Sequence, residues 1–205
     1  MIGRGISWWY PQIEEFTPKT VKCDIANTEL IEKSLSKFGG KAFVRLELRS
    51  LKEYGGIVKS SREIEELLSI STSILPAERV KTVFLRKVVE IETEFRLFVE
   101  DDELIAISIN EDFGSFLESP ETIGKRLVEY FEEIPQLSIR DYTIDVAIQK
   151  NSEPIVIEIN SSHKELADSG LFETSELVPY DEYIPFRFYS DGFRVEEILL
   201  SKSRN

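Results

Sequence analysis

A single cysteine, Cys23, and a single histidine, His163, are all that this 205-residue chain has of either type. One cysteine cannot close an intramolecular disulfide, and one histidine excludes His-rich zinc sites and leaves little room for a Cys/His pair. Basic residues are in deficit as well. The chain has 25 Lys and Arg against 38 Asp and Glu, a net charge of −13, where a phosphate-backbone binder shows a basic surplus. No apolar run approaches the roughly 20 residues that span a bilayer, and the N-terminus lacks a basic stretch followed by an apolar one. The expectation is a cytoplasmic protein with neither nucleic acid nor membrane as partner. Any chemistry falls to carboxylates, cations and backbone.

What the chain does have is apolar and aromatic bulk: 41% hydrophobic residues, with 13 Phe, 7 Tyr and 2 Trp. That suits a folded domain rather than an acidic disordered tail. The cluster Ser7-Trp8-Trp9-Tyr10-Pro11 reads as a hydrophobic plug on the core. A strand is expected around Val21 to Ile25, then a helix from Thr28 to Lys37 with Asn27 or Thr28 as N-cap and Gly39-Gly40 as its stop. Ala42 to Leu48 reads as a strand, Ser50 to Gly56 as a loop carrying Lys52, and Ser61 opens a helix running up to Pro76. From Thr82 three strands follow closely, Thr82 to Val89, Glu94 to Val99 and Leu104 to Ile109, the last two joined by a turn at Asp101-Asp102. An amphipathic helix over Pro120 to Ile134 directs Ile123, Leu127, Val128 and Phe131 inward. Strands at Tyr142 to Gln149, Ile155 to Asn160 and Pro185 to Tyr189 and a short helix at Val195 to Leu200 complete the pattern. Helices mixed with antiparallel hairpins imply an α+β fold of two lobes, approximately 1–80 and 81–205, in a single unit spanning 1–205.

Lys150-Asn151-Ser152-Glu153 separates two apolar strands. With Asn151 and Ser152 as the central turn residues Lys150 faces Glu153, and counting back in step Asp145 faces Glu158. Both then lie on the face away from Ile144, Val146, Ile157 and Ile159, with Asn160 on the same face. Like charges directly opposite are destabilising, so the pair asks for a cation, and removing one charge would relieve repulsion. Two carboxylates and a carboxamide suit Mg²⁺, a hard ion often held together with substrate phosphates. An ordinary solvated polar face has the same pattern.

Cations that could complement phosphates are Arg45 on a strand, Lys52 in the loop after it, Arg86-Lys87 near the end of the next strand, and Arg96, which alternation places on one face with Glu94 and Phe98. Each alone is more often a surface charge. Gly55-Gly56 lacks the spacing and the GK[ST] ending of a P-loop.

In order along nearly the whole chain, these segments resemble the cell division cycle protein 123 family, a branch of the ATP-grasp proteins. The resemblance runs through Ser7-Trp8-Trp9-Tyr10-Pro11, Thr17-Pro18-Lys19-Thr20-Val21, Arg45-Leu46, Ser50-Leu51-Lys52 and Val58-Lys59-Ser60-Ser61. It continues through Leu85-Arg86-Lys87, Glu94-Phe95-Arg96-Leu97-Phe98-Val99, Asp145-Val146 and Ile157-Glu158-Ile159-Asn160. Arg45 stands where the family has lysine, Leu51 where it has proline, Glu158 where it has aspartate and Ser161 where it has proline.

The resemblance implies a two-lobed ATP-grasp fold with ATP and Mg²⁺ between the lobes. It implies Asp145, Glu158 and Asn160 as metal ligands, Arg45, Lys52 and Arg86 near phosphates, and the strand around Lys87-Val88-Val89 beside adenine. Eukaryotic members of that family bind the gamma subunit of translation initiation factor 2 as assembly factors, so the resemblance implies an ATP-dependent protein-binding role as the first expectation. The second is a carboxylate–amine ligase working through an acyl phosphate, with Arg96 stabilising the transferred charge. A third is an acidic scaffold without nucleotide.

Overall fold

The computed structural model describes residues 5–47, 55–72, 81–109, 120–150, 153–161 and 193–194. They fall into two compact units: Gly5–Tyr10 with Thr17–Val89, and Pro11–Phe16 with the described residues from Glu90 on. Among the described residues no helix is long and apolar enough to cross a membrane.

In the first unit a four-stranded antiparallel sheet has the order β1-β4-β2-β3, from β1 (Thr20–Asp24), β2 (Ala42–Leu46), β3 (Gly56–Val58) and β4 (Thr82–Lys87). Strand alternation sends Cys23, Ala42, Val44, Leu46, Val58, Val83 and Leu85 to one core, shared with Ile31 and Leu35 of helix α2 (Thr28–Lys37) and Ile64 and Leu68 of helix α3 (Ser61–Thr72). Burial of this kind is the main favourable term in folding. Asn27 caps α2 by accepting from the Leu30 amide at 3.0 Å. Gly39 and Gly40, at φ of +83° and +85°, end it, the Gly40 amide donating back to the Leu35 carbonyl at 2.8 Å. The expected loop through Gly56 closes into β3, too short to show a period. Strand β4, grouped by sequence with the strands after it, pairs instead with β1 and β2.

Ahead of the sheet lies a short helix, α1 (Ile6–Trp9), which sequence periodicity could not reveal in four residues. Ile6 and Trp9 are buried. Ser7 ties the segment down, its amide and hydroxyl both donating to the Glu47 carboxylate. Two single 3₁₀ turns follow, at Tyr10–Gln12 and Glu14–Phe16.

The second unit carries a sheet of order β8-β7-β5-β6-β9, all neighbours antiparallel, from β5 (Ile91–Glu100), β6 (Glu103–Ile109), β7 (Tyr142–Gln149), β8 (Pro154–Ser161) and β9 (Phe193–Arg194). Asp101 and Asp102 turn β5 into β6 with both residues at positive φ, 51° and 69°. The Arg140 guanidinium lies 3.4 and 3.3 Å from their carboxylates. Strand β7 is buried from Tyr142 to Ile148, so it is covered on both faces. Helix α4 (Pro120–Glu133) buries Ile123, Leu127 and Val128, while Phe131 is half-buried. Tyr130 of α4 donates to the Phe16 carbonyl at 3.0 Å and meets the Phe16 ring edge-on, holding Pro11–Phe16 in this unit. The expected strand at 185–189 and helix at 195–200 lie outside the described residues.

Candidate functional site

On β7, alternation puts Ile144 and Val146 on one face of the sheet and Asp145 on the other. The partner strand brings Glu158 opposite Asp145, as the sequence pairing implied, but by a different route. Gln149, not Lys150, faces Glu153, its amide donating to the Glu153 carbonyl at 3.0 Å. Val146 therefore pairs with Val156, one residue out of step with the expected register. A β-bulge then admits Ile157 as an extra residue on β8 and restores the Asp145–Glu158 pair.

Asp145 and Glu158 are 1% exposed and Asn160 is 4% exposed, so this is a buried polar group and not a solvated face. Arg96, opposite Asp145 on β5, binds its carboxylate bidentately, Nε to Oδ1 at 2.6 Å and Nη2 to Oδ2 at 2.9 Å. The fork of the guanidinium matches both oxygens, the strongest form of a charge-assisted hydrogen bond. Asn160 Nδ2 donates to the same Oδ2 at 3.2 Å. That orients the amide and leaves Asn160 Oδ1 buried with no hydrogen-bond partner among the described residues. A buried acceptor without a donor is costly unless something completes it. Two carboxylates and an orphaned carboxamide oxygen form an all-oxygen donor set, which fits a hard divalent cation.

Of the expected phosphate-side residues, Arg45, Arg86 and Lys87 lie in the first unit. Arg45 on β2 is half-buried and Arg86 on β4 is 4% exposed, both on the sheet face opposite the α2–α3 core, with Phe43 and Phe84 between them in the register. The Arg86 guanidinium lies 5.9 Å from the Trp9 ring centroid, a cation–π contact. Lys87 ends β4 and is exposed, and Val88 and Val89 are half-buried in the irregular run that leads into the second unit. Lys52 lies outside the described residues.

A further cation on that face was not singled out from sequence. Lys22 shares a register row with Phe84 and Arg45, and its Nζ sits 5.6 Å from the Phe84 ring centroid and 3.2 Å from the Ser7 hydroxyl. The signal was Cys23 itself: if it points into the core, Lys22 points away from it.

Two antiparallel sheets with helices, one bearing a cationic face and the other a buried carboxylate–carboxamide group, define an ATP-grasp protein. Residues 23–169 match the ATP-grasp domain of the R-two-K clade, family 2, and the chain belongs to that family. Cdc123 from Schizosaccharomyces pombe shares the fold, with a TM-score of 0.55 and 20% identity, covering 84% of this chain and 88% of that one. Its C-terminally truncated form gives a TM-score of 0.57 at the same identity and coverage. D-alanyl-alanine synthetase A from Vibrio cholerae O1 biovar eltor gives 0.53 at 15% identity, covering 78% of this chain and 58% of that one. No curated protein matches the sequence. The family resemblance read from the sequence thus meets these findings within the ATP-grasp superfamily, and an ATP-grasp domain implies ATP binding.

Proposed function

We propose that this protein binds ATP with Mg²⁺ and acts as a protein-binding assembly factor of the translation initiation factor 2 type, in the cytoplasm. The observation that carries the nucleotide–metal part is the buried group Asp145, Glu158 and Asn160, with the Asn160 oxygen unsatisfied among the described residues. These three side chains would hold the metal. Bound there, Mg²⁺ supplies charge neutralisation and orientation of phosphate oxygens. Arg45, Lys52 and Arg86 would meet phosphates, and the strand around Lys87-Val88-Val89 would lie beside adenine. The partner part rests on the resemblance of the sequence segments to the cell division cycle protein 123 family, with the gamma subunit of translation initiation factor 2 as the client to test first.

Calorimetric titration with ATP, with and without Mg²⁺, followed by assay for ADP, tests this. Metal-dependent binding without turnover supports the assembly-factor function. Release of ADP would favour the ligase, with Arg96 at the transferred phosphoryl group, and absence of binding would overturn the nucleotide function altogether.

A further inference from the structure

We infer that Arg96 is the resident counter-ion of the Asp145 carboxylate, and that a divalent cation entering beside Asp145, Glu158 and Asn160 must displace its guanidinium. This rests on the proposal that those three residues hold the metal.

The inference comes from competition for the same atoms. Both Asp145 oxygens are engaged by Arg96, at 2.6 and 2.9 Å, and Oδ2 also accepts from Asn160 at 3.2 Å. A carboxylate oxygen so committed presents little of its lone-pair density to a second cation. The pair is also well shielded, with the Asp145 side chain 1% and the Arg96 side chain 18% exposed, so water does little to weaken the attraction. Formal charge makes the same point. Arg96 cancels the charge of the carboxylate it binds, and a dication binds an uncompensated Asp145 more strongly than a compensated one.

Arg96 is not sealed in as Asp145 is. Its partial exposure and its place on β5, separated by β7 from Glu158 and Asn160 on β8, give the guanidinium somewhere to go. The polyphosphate of a nucleotide is a second fork acceptor that Arg96 can take in exchange for Asp145. Metal and nucleoside triphosphate then assist each other: the anion draws the arginine off, and the freed carboxylate takes the cation. Free metal without nucleotide binds weakly. Such coupling is reciprocal and commonly corresponds to a factor of about 5 to 150 in affinity.

The alternative is that Arg96 only positions Asp145, in which case removing it loosens the metal site. Mn²⁺ binding followed by electron paramagnetic resonance, with no nucleotide present, separates the two in the full chain. Arg96→Gln is expected to bind free Mn²⁺ about tenfold more tightly than the unaltered protein, by the coupling above. Equal or weaker binding by the variant overturns the counter-ion role. If the unaltered protein binds no Mn²⁺ even with ATP, the metal proposal fails and this inference with it. Normal ATP-dependent Mn²⁺ binding with no tightening in the variant fails the inference alone.

Should the variant not fold, the unaltered protein still decides. The Arg96 Nε–H resonance is expected to exchange slowly with solvent in the metal-free state and to shift with saturating Mg²⁺ and ATP, as its acceptor changes from carboxylate to phosphate. An unchanged resonance in the saturated complex overturns the inference.

Discussion

Arg96 and Asp145 face each other from β5 and β7 and close a two-pronged ion pair, Nε to Oδ1 at 2.6 Å and Nη2 to Oδ2 at 2.9 Å. The pair changes the sign of an expectation. From sequence alone Asp145 and Glu158 are two like charges in register, and removing one relieves repulsion. With Arg96 in place, Asp145 is the acceptor that a largely buried cation depends on.

Asp145→Asn is therefore expected to destabilise the metal-free protein, by about 3 kcal/mol, because breaking a buried pair leaves one charge uncompensated. Urea unfolding with and without the substitution measures it. An unchanged or raised midpoint would show that carboxylate repulsion outweighs the ion pair.

Gly5 is expected to resist substitution for reasons of space. Its φ of −73° is open to any residue, but a Cβ there would collide with Glu47 Oε1 and with the Glu47 carbonyl oxygen, 2.5 Å away. The carboxylate end can swing away; the carbonyl cannot. Gly5→Ala should cost about 1–3 kcal/mol, the usual range for overpacking. It should also loosen the Ser7–Glu47 contacts that hold buried Trp9, which tryptophan fluorescence would report as a red shift.

Alkaline stability should depend on Tyr142. Burial, with the Asp102 charge adding to it, pushes its hydroxyl up to about 12 from an ordinary value of 10. The folded state thus keeps a proton that the unfolded chain releases first. This contribution is whole below pH 10 and is lost as pH rises from 10 through 12. Tyr142→Phe has no such proton, so its stability should fall less steeply over that window. Tyr130 is raised in the same direction and by the same main cause, so part of the slope survives the substitution. Equal slopes in the two proteins would place the alkaline sensitivity elsewhere.

How much of this was legible beforehand varied with the physics of each element. Long periodic segments were plain: α2 between Asn27 and Gly39, α4 with Ile123, Leu127 and Val128, and the β5–β6 turn at Asp101-Asp102 all reflect local rules. Partnering was less so. Nothing local in Thr82–Lys87 states that it inserts between β1 and β2, since that is decided by tertiary pairing. The Asp145–Glu158 pair was legible only because two departures cancel: the shift beside Gln149–Glu153 and the extra residue at Ile157. Burial of the group was not legible, because a polar face looks the same in sequence whether solvent or protein covers it. The Arg96 partnership needed the β5–β7 register, which spans 49 residues of chain.

Asn160 offers the sharpest separation of structural from metal-binding roles. Its Nδ2 donates to Asp145 Oδ2 at 3.2 Å while its Oδ1 has no partner among the described residues. Asn160→Asp keeps the size and the unpartnered Oδ1 but turns the donor into a second acceptor facing a carboxylate oxygen. Without metal the new contact is repulsive and buried, and should cost on the order of 1–3 kcal/mol, the penalty of an unsatisfied buried polar contact. A divalent cation that binds both oxygens removes that penalty. Added Mg²⁺ should then raise the melting temperature of the variant more than that of the unaltered protein, by virtue of binding the folded state alone. Differential scanning calorimetry over a Mg²⁺ series in saturating ATP, with Ca²⁺ for comparison, reads this directly. A variant as destabilised at high Mg²⁺ as at none would mean that Asn160 serves the Asp145 hydrogen bond and not a metal.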